Sequence, residues 1–297
     1  MINDPLISEK VILNEFGFYQ LREIPDAETL KKYYESKYYQ NDKGHYSKQY
    51  SQDELTFLFN KLEQKYYVIN KRLNLNQGKL LDIGSGEGWA LNFFKRKGWE
   101  VVGIDYSDFG CKTHNPDCIP QLIIGDIDEK INDICNSESR YDVVWLDNVL
   151  EHVPDPSFLL KRLYTVTATN GILVVEVPND FSVIQEELLK NEHITKPFWI
   201  AIPDHISYFN LKSLLALSRQ AGWDNKYYMS DFPIDFNLFN EYTNYIKNPS
   251  VGKSCHHARV ELENIIHNIS VEKAATLFHS YADLGLGRQI IAFFQKN

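Results

Sequence analysis

The stretch Lys79 to Ala90, KLLDIGSGEGWA, constrains the fold of this chain more than any other. Leu80, Leu81 and Ile83 read as a buried strand, which Gly84, Gly86 and Gly88 break into a turn. Trp89 to Phe94 then carries apolar residues at helical spacing, so the segment predicts strand, glycine turn, helix. Glycine suits such a turn because a side chain would hold a ligand away from the backbone N–H groups at the helix start. The dinucleotide pattern G-x-G-x-x-G is not met, since its third glycine falls on Trp89. What stands instead is D-x-G-x-G-x-G, written by Asp82, Gly84, Gly86 and Gly88, a turn better matched to an amino acid moiety and a ribose than to a pyrophosphate. By itself the stretch is equally an ordinary strand–turn–helix connection.

A second feature breaks that tie. Trp99 to Asp105, WEVVGID, is another strand-like run ending in an acid. A carboxylate there can accept from the two neighbouring hydroxyls of a ribose. With IIGDI (Ile123 to Ile127), YDVVWLDNVLEHVPDP (Tyr141 to Pro156) and GILVVEVPND (Gly171 to Asp180), these stretches resemble the class I S-adenosylmethionine-dependent methyltransferases. The resemblance covers roughly residues 75 to 230, with the motifs in family order.

It implies an α/β fold: a doubly wound, mostly parallel seven-stranded sheet, Rossmann-like, with S-adenosyl-L-methionine as cofactor. Gly84, Ser85, Gly86 and Gly88 are then expected around the methionine portion, and Asp82 supports that loop or accepts from the ammonium. Asp105 and Tyr106 go to the ribose, Asp126 and Ile127 to the adenine, and Leu146 and Asp147 beside the sulfonium. Asp126 is equally suited to cap the helix that follows it, and both uses can hold at once.

At 297 residues the chain exceeds one such core, so added segments are expected. The sequence divides into an N-terminal helical lid (1–74), a core (75–230 plus 287–297) and a helical annex (231–286), inserted before the last strand and expected to cover the mouth of the active site. Strands are predicted near 79–83, 99–105, 121–124, 141–146 and 171–177, alternating with helices as a parallel sheet requires. A sixth runs from Gly222-Trp223 to Tyr228, and its antiparallel partner is GRQIIAFF at 287–294. The segment between them is too long for a hairpin loop and must carry structure of its own. Helical spacing appears over 27–39, 53–73, 257–269 and 271–281.

Two places speak of an acceptor. His152 lies in LEHV after the fourth strand, where the ligand crevice of such sheets opens. His152 is a candidate base there, although Glu151 and His152 read best as residues that shape this loop and satisfy backbone groups. The segment Pro203-Asp204-His205-Ile206-Ser207-Tyr208-Phe209 resembles one in methyltransferases of sugar and surface-polysaccharide pathways. His205 there is the first candidate for a base taking a hydroxyl proton, because imidazole titrates near neutrality. As a structural alternative, Asp204 and His205 cap the next segment and anchor the lid. Tyr46, Tyr50, Asn179 and Tyr208 are candidate acceptor contacts. So are Asn244, Tyr245, Lys253, His257 and Arg259 of the annex, which read either as a pocket for an anionic group or as a solvated helix start.

The balance of 31 basic and 40 acidic residues gives −9, which argues against nonspecific binding to nucleic acid or to a membrane surface. LDNV at 146–149 is also not the Asp/Asn-Pro-Pro-aromatic motif of nucleic-acid amino-methyltransferases. The four cysteines form no C-x-x-C pair, and the histidines of the annex lack a partner motif. Asp147-Asn148 raises a Mg²⁺ site, but the further carboxylates it needs are not placed, so no metal is expected. With no secretory leader and no apolar run near about 18 residues, the expected location is cytoplasmic. The expected activity is methyl transfer to a hydroxyl or amine of a small polar acceptor, a sugar or nucleotide-linked sugar first. The alternatives are another small metabolite and a non-catalytic cofactor-binding scaffold; a nicotinamide dehydrogenase is disfavoured by Trp89.

Overall fold

The computed structural model describes residues 9–26, 28–30, 33 and 49–296. The first strands form a hairpin, β1 (Val11–Leu13) against β2 (Tyr19–Leu21). Asn14 closes its turn by accepting the N–H groups of Phe16 and Phe18 at 3.0 and 3.2 Å. Helix α1 (Gln52–Tyr67) begins with a reciprocal capping box between Ser51 and Glu54. The sequence predicts an unbroken helix over 53–73, but Val68–Arg72 form a π-helical turn closed by Leu73 N–H to the Val68 carbonyl at 3.2 Å. The helix expected over 27–39 lies almost wholly outside the described residues.

The main sheet follows as β3 (Lys79–Ile83), α2 (Trp89–Arg96), β4 (Glu100–Asp105), α3 (Phe109–His114) and β5 (Leu122–Ile124). Next come α4 (Ile127–Cys135), β6 (Tyr141–Asp147), α5 (Pro156–Val166), β7 (Thr167–Pro178) and α6 (Val183–Lys190). The crossover helix α3 is short and gives way to a 3₁₀ turn at Pro116–Gln121, where Pro116 and Pro120 withhold their N–H donors. Strand β8 (Ser207–Tyr208) leaves the main sheet and pairs with β2, so the N-terminal hairpin and the 181–209 insertion share one small sheet, β1-β2-β8. This pairing of remote segments has no local signature in the sequence. The chain closes with α7 (Leu211–Gln220), β9 (Asp224–Ser230), α8 (Gly252–Ile269), α9 (Val271–Asp283) and β10 (Gln289–Gln295).

The order of the main sheet is β5-β4-β3-β6-β7-β10-β9. Strands β3 to β7 of this sheet pair in parallel, while β10 runs antiparallel between β7 and β9. Alternate residues face opposite layers. Leu81, Ile83, Val144, Leu146, Leu173 and Val175 pack beneath α4, α5 and α7. Leu80, Val143, Trp145, Ile172 and Val174 pack with α1, α2 and α9 on the other side. The sheet is thus doubly wound and seven-stranded, as expected. A third cluster joins Val11, Leu21, Ile184, Trp199, Ile206 and Leu238 at the carboxyl-edge insertion.

The segment 231–286 is helical in its second half, and α8 begins at Gly252, earlier than the spacing predicts. Helix α9 packs on β9 and α1, and α8 on α1 and α9. These two helices therefore extend the layer that covers one face of the sheet. Asp231 pins the crossover to β10, accepting the N–H groups of Arg288 and Gln289 at 2.7 and 2.8 Å and the Arg259 guanidinium at 2.6 Å.

Candidate active site

The glycine turn closes as its residue types require. Gly84, Gly86 and Gly88 have φ of +72°, +53° and +77°, a left-handed region costly for any residue with a Cβ. Space is short as well: a Cβ on Gly84 would sit 2.6 Å from Val149 Cγ2, and one on Gly88 2.8 Å from Cys111 Sγ. Gly84 N–H donates to the Ile104 carbonyl at 2.8 Å, and the Ser85 hydroxyl to the Asp82 carbonyl at 3.0 Å. Asp105 holds the turn from β4, its Oδ2 accepting Gly86 N–H at 2.8 Å and its Oδ1 accepting Ser107 N–H at 3.0 Å. With the Tyr106 N–H also accepted, the carboxylate still has room for a further donor.

Strand parity gathers the acids. Asp82, Asp105, Asp147 and Glu176 share the face of Leu80, Val101, Trp145 and Val174, and all four stand at or near the carboxyl ends of adjacent strands. Two cations from α1 answer them. Lys65, buried to 3% exposure, reaches Asp147 Oδ2 at 2.8 Å, makes a short contact with Glu176, and lies 5.0 Å over the Trp145 ring. Lys61 reaches Glu176 Oε1 at 3.3 Å. Burial alone would release the Lys65 proton, but Asp147 and Glu176 outweigh it and raise its pKa. Burial opposes ionisation of Glu176 too, yet Lys61 and Lys65 hold its pKa down to about 2. Asp82 is only partly compensated: burial, then the charges of Asp147 and Asp105, outweigh Ser85 and Lys65 and push it up to about 8. Burial also raises Asp105, against the backbone N–H groups it accepts. Four carboxylates and two lysines leave this edge wanting positive charge.

Asp147 has its oxygens engaged by Lys65 and by Asn148 Nδ2 at 2.8 Å, and its charge is answered by the lysine. It is therefore no free oxygen ligand for the Mg²⁺ site that its sequence raised. The neighbouring loop carries a different group. Val149 packs on Gly84, and Glu151, His152 and His205 follow, each offering a donor atom within 4.8 Å of the others. His152 Nδ1 is 2.6 Å from the Asp204 carbonyl, so His152 does satisfy a backbone group. The rings of His152 and His205 meet edge to face, centroids 5.0 Å apart. Glu151 is buried to 1% exposure, and burial raises its carboxyl pKa well above the usual range.

The remaining expected contacts scatter. Asp126 caps α4 through Glu129 N–H at 3.0 Å and accepts the Tyr106 hydroxyl at 3.2 Å, so Tyr106, Asp126 and Ile127 do adjoin one another beyond β4 and β5. Leu146 is a core residue whose side chain faces away from the acids. Tyr50 donates to Glu87 Oε2 at 2.8 Å beside Trp89 and His114, which places it against the glycine turn. Tyr46 lies outside the described residues. Asn179 binds the carbonyls of Gly285 and Gly287, at 3.2 and 3.1 Å. The Tyr208 hydroxyl donates to the His205 carbonyl at 2.9 Å, Asn244 to the carbonyls of His193 and Leu238, and Tyr245 to Asp235 at 2.6 Å. These four side chains tie segments together.

The expected anion pocket is not assembled either. Arg259 is committed to Asp231 at 2.6 Å and Glu263 at 2.8 Å. Lys253 and His257 line a groove of about 860 Å³ between α1 and α8, together with Asp53, Glu54 and Glu261. Acids offset the bases there, so charge selects no anion. Sequence reading missed Lys61, Lys65 and Glu176. Parity held the signal for Glu176, which lies near the end of its strand on the same face as Asp147.

A glycine cradle that excludes side chains, beside carboxylates short of cations, fits S-adenosylmethionine, which brings an ammonium and a sulfonium. A parallel sheet wound on both sides with that cradle at its carboxyl edge defines an S-adenosylmethionine-dependent methyltransferase fold. Residues 38–227 match the methyltransferase domain family, and the chain belongs to it. Similar curated proteins include a ubiquinone biosynthesis O-methyltransferase of Rhodopseudomonas palustris strain BisB18, 24% identical over 57% of this chain and 70% of its own length. Another, from strain HaA2, is 32% identical over 34% of this chain and 40% of its own length. Among solved structures, a SAM-dependent methyltransferase from Archaeoglobus fulgidus superposes with a TM-score of 0.50 at 19% identity, covering 80% of this chain and 94% of that one. The 1,6-didemethyltoxoflavin-N1-methyltransferase of Burkholderia thailandensis, bound to its acceptor and S-adenosylhomocysteine, gives 0.51 at 13% identity, covering 97% and 99%. The chain is an enzyme that uses S-adenosylmethionine. No described helix is long and apolar enough to cross a membrane.

Proposed function

We propose that the protein transfers the methyl group of S-adenosylmethionine to a hydroxyl of a small polar acceptor, a sugar or nucleotide-linked sugar first. The observation that carries the oxygen acceptor is the meeting of His152 and His205, their rings 5.0 Å apart, just after Val149, which packs on Gly84. Several curated relatives are named as O-methyltransferases, which supports oxygen over nitrogen. The sugar class rests on the resemblance at Pro203 to Phe209. A cytosolic location fits the four free cysteines.

The bound cofactor supplies an electrophilic methyl on a positively charged sulfur. The chain's own part is to place the acceptor oxygen in line with the S–CH₃ bond, and positioning of this kind is worth on the order of 7–11 kcal/mol. In this reading the glycine turn receives the methionine portion and Asp105 the ribose hydroxyls. Asp126 and Tyr106 border the adenine, and Asp82 ionises against the cofactor's positive charge. The C–O bond forms as S–CH₃ breaks, leaving S-adenosylhomocysteine, the methyl ether and one proton. That proton leaves through the histidine pair.

The test is turnover of S-adenosylmethionine against a panel of nucleotide-linked sugars, free sugars and phenols. Acceptor-dependent S-adenosylhomocysteine with one methyl gained on oxygen is the expected result. Cofactor binding without turnover on any acceptor would instead favour a scaffold. His205→Ala should lower turnover about a hundredfold or more and leave cofactor affinity intact. Normal turnover would remove the pair from the chemistry.

A further inference from the structure

Glu151 is a carboxylate buried to 1% exposure whose two oxygens accept no hydrogen bond from another residue among the described ones. An ionised carboxylate in that position is costly unless a cation meets it. His152 Nε2 lies 3.7 Å from Glu151 Oε1, and His205 offers a donor atom within 4.8 Å of both partners. Two donors bound about 2.0–2.2 Å from one metal ion at a tetrahedral angle stand about 3.4 Å apart. The His152–Glu151 separation is close to that of two ligands flanking one ion.

The tautomer agrees. A carbonyl oxygen only accepts, so the 2.6 Å contact from His152 Nδ1 to the Asp204 carbonyl puts the ring proton on Nδ1. The neutral ring then turns the Nε2 lone pair towards Glu151. A second ring nitrogen anchored on a backbone carbonyl is the usual support of a metal-ligating histidine. The backbone fixes the two halves of the group as well, through Ile206 N–H to the Glu151 carbonyl at 2.8 Å.

We infer that Glu151, His152 and His205 form a binding site for one divalent transition-metal ion, at the acceptor side of the cofactor cradle. Two imidazoles and one carboxylate favour Mn²⁺, Co²⁺, Zn²⁺ or Fe²⁺ over Mg²⁺ and Ca²⁺, which prefer oxygen ligands. Three protein ligands leave positions open, and an acceptor with adjacent oxygens fills them. The inference rests on the O-methylation reading and sharpens it. With both histidines engaged on the ion, coordination would lower the pKa of the acceptor hydroxyl, and its proton would pass to water in place of the histidine pair while the oxygen takes the methyl.

The experiment is titration of the chelator-treated full chain with MnCl₂ and CoCl₂, followed by calorimetry and, for Co²⁺, by visible absorption. S-adenosylhomocysteine affinity is measured on the same samples. The expected result is one saturable site, weakened about tenfold or more in both Glu151→Gln and His205→Gln, with S-adenosylhomocysteine affinity retained. Absence of saturable binding up to about 1 mM ion would overturn the site, as would binding that survives both substitutions. Loss of S-adenosylhomocysteine binding in the unsubstituted protein would instead overturn the methyltransferase reading, so the two failures are distinct.

Discussion

The carboxyl group of Asp82 is buried at the end of β3 with Asp147 and Asp105 as neighbours, and these keep its proton on up to about pH 8. In the unfolded chain the same group ionises in the ordinary carboxylate range. Between the two values the folded state binds the extra proton, so stability falls as pH rises from the carboxylate range through about 8. Asp82→Asn removes that loss, and above about pH 8 the cofactor-free variant should melt about 2 °C or more above the parent. A cationic ligand reverses the preference. Affinity of the parent for S-adenosylmethionine should rise with pH through about 8 relative to the variant, in which the ligand's own titration is shared. Calorimetry at several pH values checks this; parallel curves for the two proteins would contradict it. Asp105→Ala deprives Gly86 and Ser107 of their acceptor and should weaken cofactor binding about tenfold or more. Unchanged affinity would refute the ribose assignment.

At the level of elements, α1 is held to the sheet by ions as well as by its apolar face. Lys65→Met leaves Asp147 and Glu176 with Lys61 alone, and should cost about 3–5 kcal/mol in urea unfolding at neutral pH. Adding Glu176→Gln should recover part of that. A loss below about 1 kcal/mol would show that solvent, not Lys65, carries these charges. The acid limb follows from Glu176. Its folded pKa of about 2 lies below its ordinary value of 4.5, so its contribution is complete above 4.5 and is lost as pH falls towards 2.

The strands were legible because their signal is local. KLLDI is a strand at the predicted residues, and β4, β5 and β6 differ from prediction by one residue at an end. The glycine turn and Asp105 were legible for the same reason. Lys65 was not: an apolar helix face gives no sign that one lysine turns inward to meet acids from strands far along the chain. The pairing of β8 with β2 escaped likewise, being fixed by only two residue pairs.

For the whole molecule, the two long helices of the 231–286 segment complete the layer over β9 and α1, where the sequence suggested a cover over the mouth of the site. Their charged residues follow from that place, since Arg259 neutralises Asp231 and Glu263 inside the layer and leaves no pocket for an anion. The account stands on the acidic carboxyl edge of the sheet holding the adenosyl sulfonium. Titration calorimetry of the purified, ligand-free chain with S-adenosylmethionine tests this most directly. One equivalent of uptake, weakened by Asp105→Ala, is the predicted result; no uptake of S-adenosylmethionine or of S-adenosylhomocysteine would contradict it.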